Sequence, residues 1–189
     1  RVIGPPTGLD FNPAVVAMQA IGPAQELVYL TRIPPGKSRF NLGTAKTFVD
    51  RTFIVVAGGP DLEAMRRFYA EGLGMEVTPS GDTEISVLAT AWNLPGNTRF
   101  PIAIAQLPAN FLIELDGYPA GATPRVAGQG ELPPGMAMVS FGVKDLDKVN
   151  VPLASPPVRR YEAPYFGRRV ATTRGAAGEW IELVERIVP

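Results

Sequence analysis

The sequence predicts an α+β chain built from repeated units of strand, turn, helix and strand. Three observations point there. Residues 53–75, FIVVAGGPDLEAMRRFYAEGLGM, pass from β-branched and aromatic residues through a turn into a helical stripe. Residues 136–149, MAMVSFGVKDLDKV, repeat the passage from an apolar strand into an Asp-Leu opening. Between them, residues 117–135 are rich in Gly and Pro and carry almost no periodicity, which marks a boundary between modules.

Taken in order, residues 1–13 are Pro/Gly-rich and extended. Residues 14–18 and 26–33 read as strands joined by a turn at Gly22-Pro23. Residues 34–50 form a linker. In the first full unit, residues 53–56 read as a buried strand that Gly58-Gly59-Pro60 breaks. Asp61 stands where a helix N-cap belongs. Leu62, Met65, Phe68 and Tyr69 then fall on one helical face, and Gly72 and Gly74 end the helix before a strand begins at Met75. Residues 84–91, 102–107 and 111–115 read as three further strands, the last two a hairpin through Pro108-Ala109-Asn110. In the second unit, residues 136–143 form a strand and Pro152 cuts short the helix that follows Asp145. Residues 168–173 and 179–188 close the chain as strands around a glycine turn.

An internal repeat supports this division. Residues 14–33 align without a gap on residues 168–187: Val16-Ala17 falls on Val170-Ala171, Leu27 on Ile181, and Arg32-Ile33 on Arg186-Ile187. The expected organisation is therefore a strand arm at 1–33, the back half of a module whose front is missing, then a linker at 34–50. A complete module at 51–118, a second linker at 119–135 and a second module at 136–189 follow.

Composition narrows the chemistry. Lys plus Arg equals Asp plus Glu at 18 each, so the net charge is zero. That argues against a nucleic-acid or anionic-membrane partner. No apolar run approaches the length of a membrane span, and a cytoplasmic location is expected. The chain has no Cys and no His. Thiolate zinc sites, cysteine nucleophiles, serine triads and imidazole bases are all excluded by those two absences. Gly58-Gly59-Pro60 lacks the Gly-Lys-Ser/Thr ending of a phosphate loop.

Four segments together resemble one family. They are DLEAMRRFYAEGLGMEV at 61–77, FLIELDGYP at 111–119, SFGVKDLDKV at 140–149 and GEWIELVE at 178–185. The resemblance is to the vicinal oxygen chelate superfamily, which holds glyoxalase I, bleomycin-resistance proteins and extradiol dioxygenases. It implies paired βαβββ modules whose curved mixed sheets form a cup, with ligand inside and helices outside. It also implies two metal-ligand positions at the glutamates of the IEL triplets, Glu114 and Glu182. The partner positions near the start of each module hold Met138 in one and Thr52, Phe53 or Ile54 in the other. None is an imidazole, so the set suits neither zinc, nickel nor iron.

The expectation is a protein without a cofactor that binds a small apolar or aromatic molecule in the cup between modules. Glu114 and Glu182 stand as catalytic candidates, and Phe53, Leu112, Met138, Tyr165 and Trp180 as ligand-binding ones. Strand alternation puts Leu112, Glu114 and Asp116 on one face. A bland reading gives each glutamate an arginine partner from Arg159, Arg160, Arg168, Arg169 or Arg174, or has it merely keep a family pattern. The alternative function is a lyase, isomerase or dioxygenase using Glu114 and Glu182 with a hard divalent metal. Trp92, in a long loop, reads as a lid or an interface residue. A homodimer, or a module preceding Arg1, would complete the arm.

Overall fold

The computed structural model describes residues 1–186 and is α+β, with three sheets and little helix. Strands β1 (Val2–Leu9), β2 (Asn12–Ile21) and β3 (Leu27–Arg32) form an antiparallel arm in that order. The first module holds β4 (Ile54–Gly59), helix α1 (Leu62–Arg67), β5 (Gly81–Glu84), helix α2 (Ser86–Ala91), β6 (Arg99–Leu107) and β7 (Phe111–Gly117). The second holds β8 (Met138–Val143), β9 (Val158–Arg160), β10 (Arg168–Arg174) and β11 (Trp180–Glu185).

Both modules have the same sheet. Their orders are β4-β7-β6-β5 and β8-β11-β10-β9, so the first strand lies parallel to the fourth and the rest are antiparallel. The arm has the order of the last three strands of such a sheet.

One core joins the modules. Met65 and Tyr69, on the predicted helical stripe, are buried with Ile113 and Leu115 of β7 and with Ile181 and Leu183 of β11. Leu62 and Phe68 pack against that cluster. Asp61 caps α1 by accepting from the Ala64 amide at 2.8 Å. After Arg67 the helix widens into a π turn over Phe68–Gly72, and Gly74, at φ +69°, reverses the chain. In the second module the helix shrinks to a single 3₁₀ turn, Leu146–Lys148, as Pro152 requires.

Several details differ from expectation. Strand β4 runs through Gly58 and Gly59 instead of ending before them. The reason is space: a Cβ on Gly58 would lie 2.0 Å from the Tyr118 ring. Residues 84–91 are not one strand; β5 ends at Glu84 and α2 follows. Ile85, Leu88, Ala89 and Trp92 recur at helical spacing, and that period prevails over the β-branched content. Beyond Met75 no strand forms, only a bridge from Val77 to Ala105. The end of the predicted closing strand, Ile187 and Val188, lies outside the described residues. The hairpin at 108–110 forms as expected, with Ala109 and Asn110 both at positive φ.

Candidate functional site

Because Ile113 and Leu115 face the shared core, Leu112, Glu114 and Asp116 face the other way, toward the arm. The same parity holds in β11. Ile181 and Leu183 are buried in the core, so Glu182 and Val184 face outward on their own side, while Trp180, at the start of the strand, reaches the larger of two cavities. Two cavities result. A larger one, of about 1300 Å³, lies between β3 of the arm, β4, the two linkers and the β10–β11 turn. A smaller one, of about 510 Å³, lies over the outer face of the second module.

Phe53, Met138 and Trp180 all line the larger cavity. Leu112 is packed with Ile102, Ile104, Phe40 and Leu42 in a small core beneath it. Tyr165 and Glu182 border the smaller cavity. Glu182 accepts from the Ser140 hydroxyl at 2.5 Å and from the Tyr165 hydroxyl at 2.7 Å. The pairing of β8 with β11, which sets Ser140 beside Glu182, explains the first contact. The charge on Glu182 in turn raises the Tyr165 hydroxyl's pKa, chiefly through their hydrogen bond.

Glu114 and Glu182 therefore have no hydrogen-bond partner in common. Neither takes an arginine among the described residues, so the expected arginine pairing does not hold for either. Arg169 instead grips Asp147, at 2.6 and 2.9 Å, and Glu185 at 3.3 Å. Among the described residues no three Asp or Glu side chains gather as a metal would need. The donor set does not fit a metal shared between Glu114 and Glu182.

The partner that Glu114 does have is Asp116, two residues along β7. Asp116 is 2% exposed, lines the larger cavity, and its Oδ1 has no hydrogen-bond partner. Burial pushes both carboxyl groups above the ordinary carboxylate range. For Asp116 the neighbouring Glu114 charge adds to the rise. With one proton between them, Asp116 donates to Glu114, which raises Asp116 further and partly offsets the rise at Glu114.

Two tyrosines complete this corner. Tyr118 follows β7 on the same alternation and lies over Gly58, with Trp92 tilted against it at 5.4 Å between ring centroids. Trp92 thus packs beside Tyr118 and against the small core of Leu88, Ala89 and Phe100. Tyr29 comes from β3 of the arm. Burial is the largest cause of the upward shift at both hydroxyls, Tyr118 reaching about 12, and the negative charge of Asp116 comes next. Asp116 and Tyr118 were accessible to sequence reasoning through the same parity that selects Glu114. Tyr29 was not, since only the folded arm brings it here.

No protein-family model matches the sequence, and neither does any curated protein. Solved structures do match in shape. Glyoxalase I from Zea mays superposes with a TM-score of 0.60 at 17% identity, covering 98% of this chain and 59% of the maize chain. A glyoxalase family protein from Bacillus cereus gives 0.56 at 25% identity, covering 77% of this chain and 100% of that one. A glyoxalase/dioxygenase from Nostoc punctiforme gives 0.53 at 18% identity over 78% of this chain and 99% of that one. This chain thus spans 59% of the length of the maize protein it resembles. Two sheets of one unusual order, sharing a core and matching these proteins in shape, give the chain the vicinal oxygen chelate fold.

Proposed function

We propose that the chain binds a small molecule with an apolar or aromatic body in the larger cavity, without a transition metal. The observation that carries this reading is the lining. Tyr29, Tyr118, Phe53, Met138 and Trp180 border a space of about 1300 Å³, and Asp116, whose Oδ1 is buried without a hydrogen-bond partner, borders it too. Apolar walls with few convergent polar groups are what a small-molecule site requires. The composition supports this reading, since a chain with neither His nor Cys offers no imidazole or thiolate ligand for a transition metal.

Titration calorimetry and thermal shift against a panel of aromatic metabolites and antibiotics test the reading. Saturable binding, weakened by Trp180→Ala or Met138→Ala, is expected. Failure of every compound to bind or to raise the melting temperature would overturn it.

A further inference from the structure

The corner of the cavity at Asp116 also restricts what kind of molecule fits, an inference that rests on the small-molecule reading above. Two acidic side chains, Glu114 and Asp116, stand on the same face of β7 with Val56 and Gly58 of β4 on one side and Ile104 and Ile102 of β6 on the other. None of these neighbours donates a side-chain hydrogen bond. Asp116 Oδ1 is buried and unpartnered although the side chain lines an open cavity. An acceptor left so bears the full cost of losing its water, and more if it is charged.

Four arginines border the cavity; Arg32 is exposed at the end of β3, on the opposite parity to Tyr29, and the other three are engaged elsewhere. Arg125 donates to the carbonyls of Pro134 and Met136, the latter at 2.8 Å. Arg174 lies 4.0 Å over the Trp180 ring and donates to the Gly178 carbonyl. Arg51 lies over Phe111 and donates to the Ala109 carbonyl. Among the described residues no salt bridge includes Glu114 or Asp116.

Around the carboxyl groups are aromatic rings. Tyr29 and Tyr118 line the same cavity, and Trp92 fixes Tyr118 from behind. A buried acidic pair bordered by aromatic faces is complementary to an organic cation. Its N–H groups satisfy carboxylate oxygens, and its charge is attracted to the rings.

We propose that the cavity selects an organic cation, an aromatic or aliphatic body ending in an ammonium or amidinium group, with the cationic end at Asp116 and Glu114. A neutral hydroxyl donor would satisfy Oδ1 but would leave two adjacent carboxyl groups without a counter-charge. An anion would meet both.

The test uses the full chain and three probes of one shape: 1-naphthylmethylamine, 1-naphthylmethanol and 1-naphthoate. Calorimetry at neutral pH should show the ammonium binding at least tenfold tighter than the alcohol, with the carboxylate weakest. Asp116→Asn and, separately, Glu114→Gln should bring the ratio of ammonium to alcohol affinity close to one. Circular dichroism confirms that each variant is folded, and either variant alone suffices if the other is not. Equal affinity for ammonium and alcohol, or a preference that survives both substitutions, would overturn the proposal while leaving the cavity a binding site. Binding of none of the three would instead count against the small-molecule reading itself.

Discussion

The Tyr69 hydroxyl donates to Glu179 Oε1 at 2.6 Å, and this single contact ties the helical segment of the first module to the β10–β11 turn of the second. Tyr69 is 2% exposed, its ring set edge-on to Phe68 and Phe141. Glu179 is held in turn by the Ala177 amide at 3.0 Å. Burial and the Glu179 charge both hold the hydroxyl protonated well beyond its ordinary range. Tyr69→Phe keeps the ring and removes the bond. It should cost about 1–3 kcal/mol, as for a hydrogen bond to a charged group. For a chain of this size that is a fall of about 2–12 °C in melting temperature. Glu179→Gln, which keeps an acceptor oxygen, should lose less. Calorimetric melting of the two variants checks the order.

The acidic pair predicts an inverted pH dependence. A carboxyl whose pKa is higher in the folded state binds its proton more tightly there. Folding is therefore favoured as pH falls from above the raised folded value toward the ordinary unfolded one. Asp116, with Glu114 beside it, Tyr29 and Tyr118 near the pair and Arg125 near Tyr118, should make the protein more stable at pH 5 than at pH 8. Asp147, whose pKa Arg169 lowers, has the opposite sign but acts only below the ordinary carboxylate range. Asp116→Asn should flatten the slope between pH 5 and 8 and raise stability at pH 8. Denaturant unfolding across that range measures both, and an unchanged slope would sink the assignment.

Gly58 is expected to tolerate no side chain. Its absent Cβ makes room for the Tyr118 ring, so Gly58→Ala should displace Tyr118 and disturb Trp92 behind it. Overpacking of this kind costs about 1–3 kcal/mol. Gly81→Ala is the control, because a Cβ there meets nothing within 4 Å. Urea unfolding gives the stabilities, and Trp92 fluorescence, read in a Trp180→Phe background, reports the displacement.

The N-cap of α1 should be worth about 1 kcal/mol. Asp61→Ala removes the acceptor for the Ala64 amide, and Asp61→Ser should restore much of the loss. Thermal melting of the pair distinguishes a lost cap from a general surface effect.

Periodicity made much of the fold legible. The stripe of Leu62, Met65, Phe68 and Tyr69 needs only residue spacing to be seen, and it is the face that meets the core. The shortened second helix follows from Pro152. Where reading failed, two local signals competed. Residues 85–92 carry a helical spacing, yet their β-branched residues favoured a strand. The Gly58-Gly59 pair looks like a chain break, whereas Gly58 makes room for a ring that arrives from Tyr118, sixty residues later in the chain, and Gly59 for Ala177.

By itself the sequence determined the two modules, the core-facing parity of β7 and β11, and the absence of imidazole and thiolate chemistry, because each depends on local spacing or on residue type. Only the tertiary structure decided which cavity each outward face meets. Glu114 and Glu182 occupy equivalent triplets, yet the first meets Asp116 and Tyr29 of the arm, and the second meets Ser140 and Tyr165. The physical reason is that alternation fixes which way a side chain points from its strand, while the packing of arm and sheets sets what stands opposite.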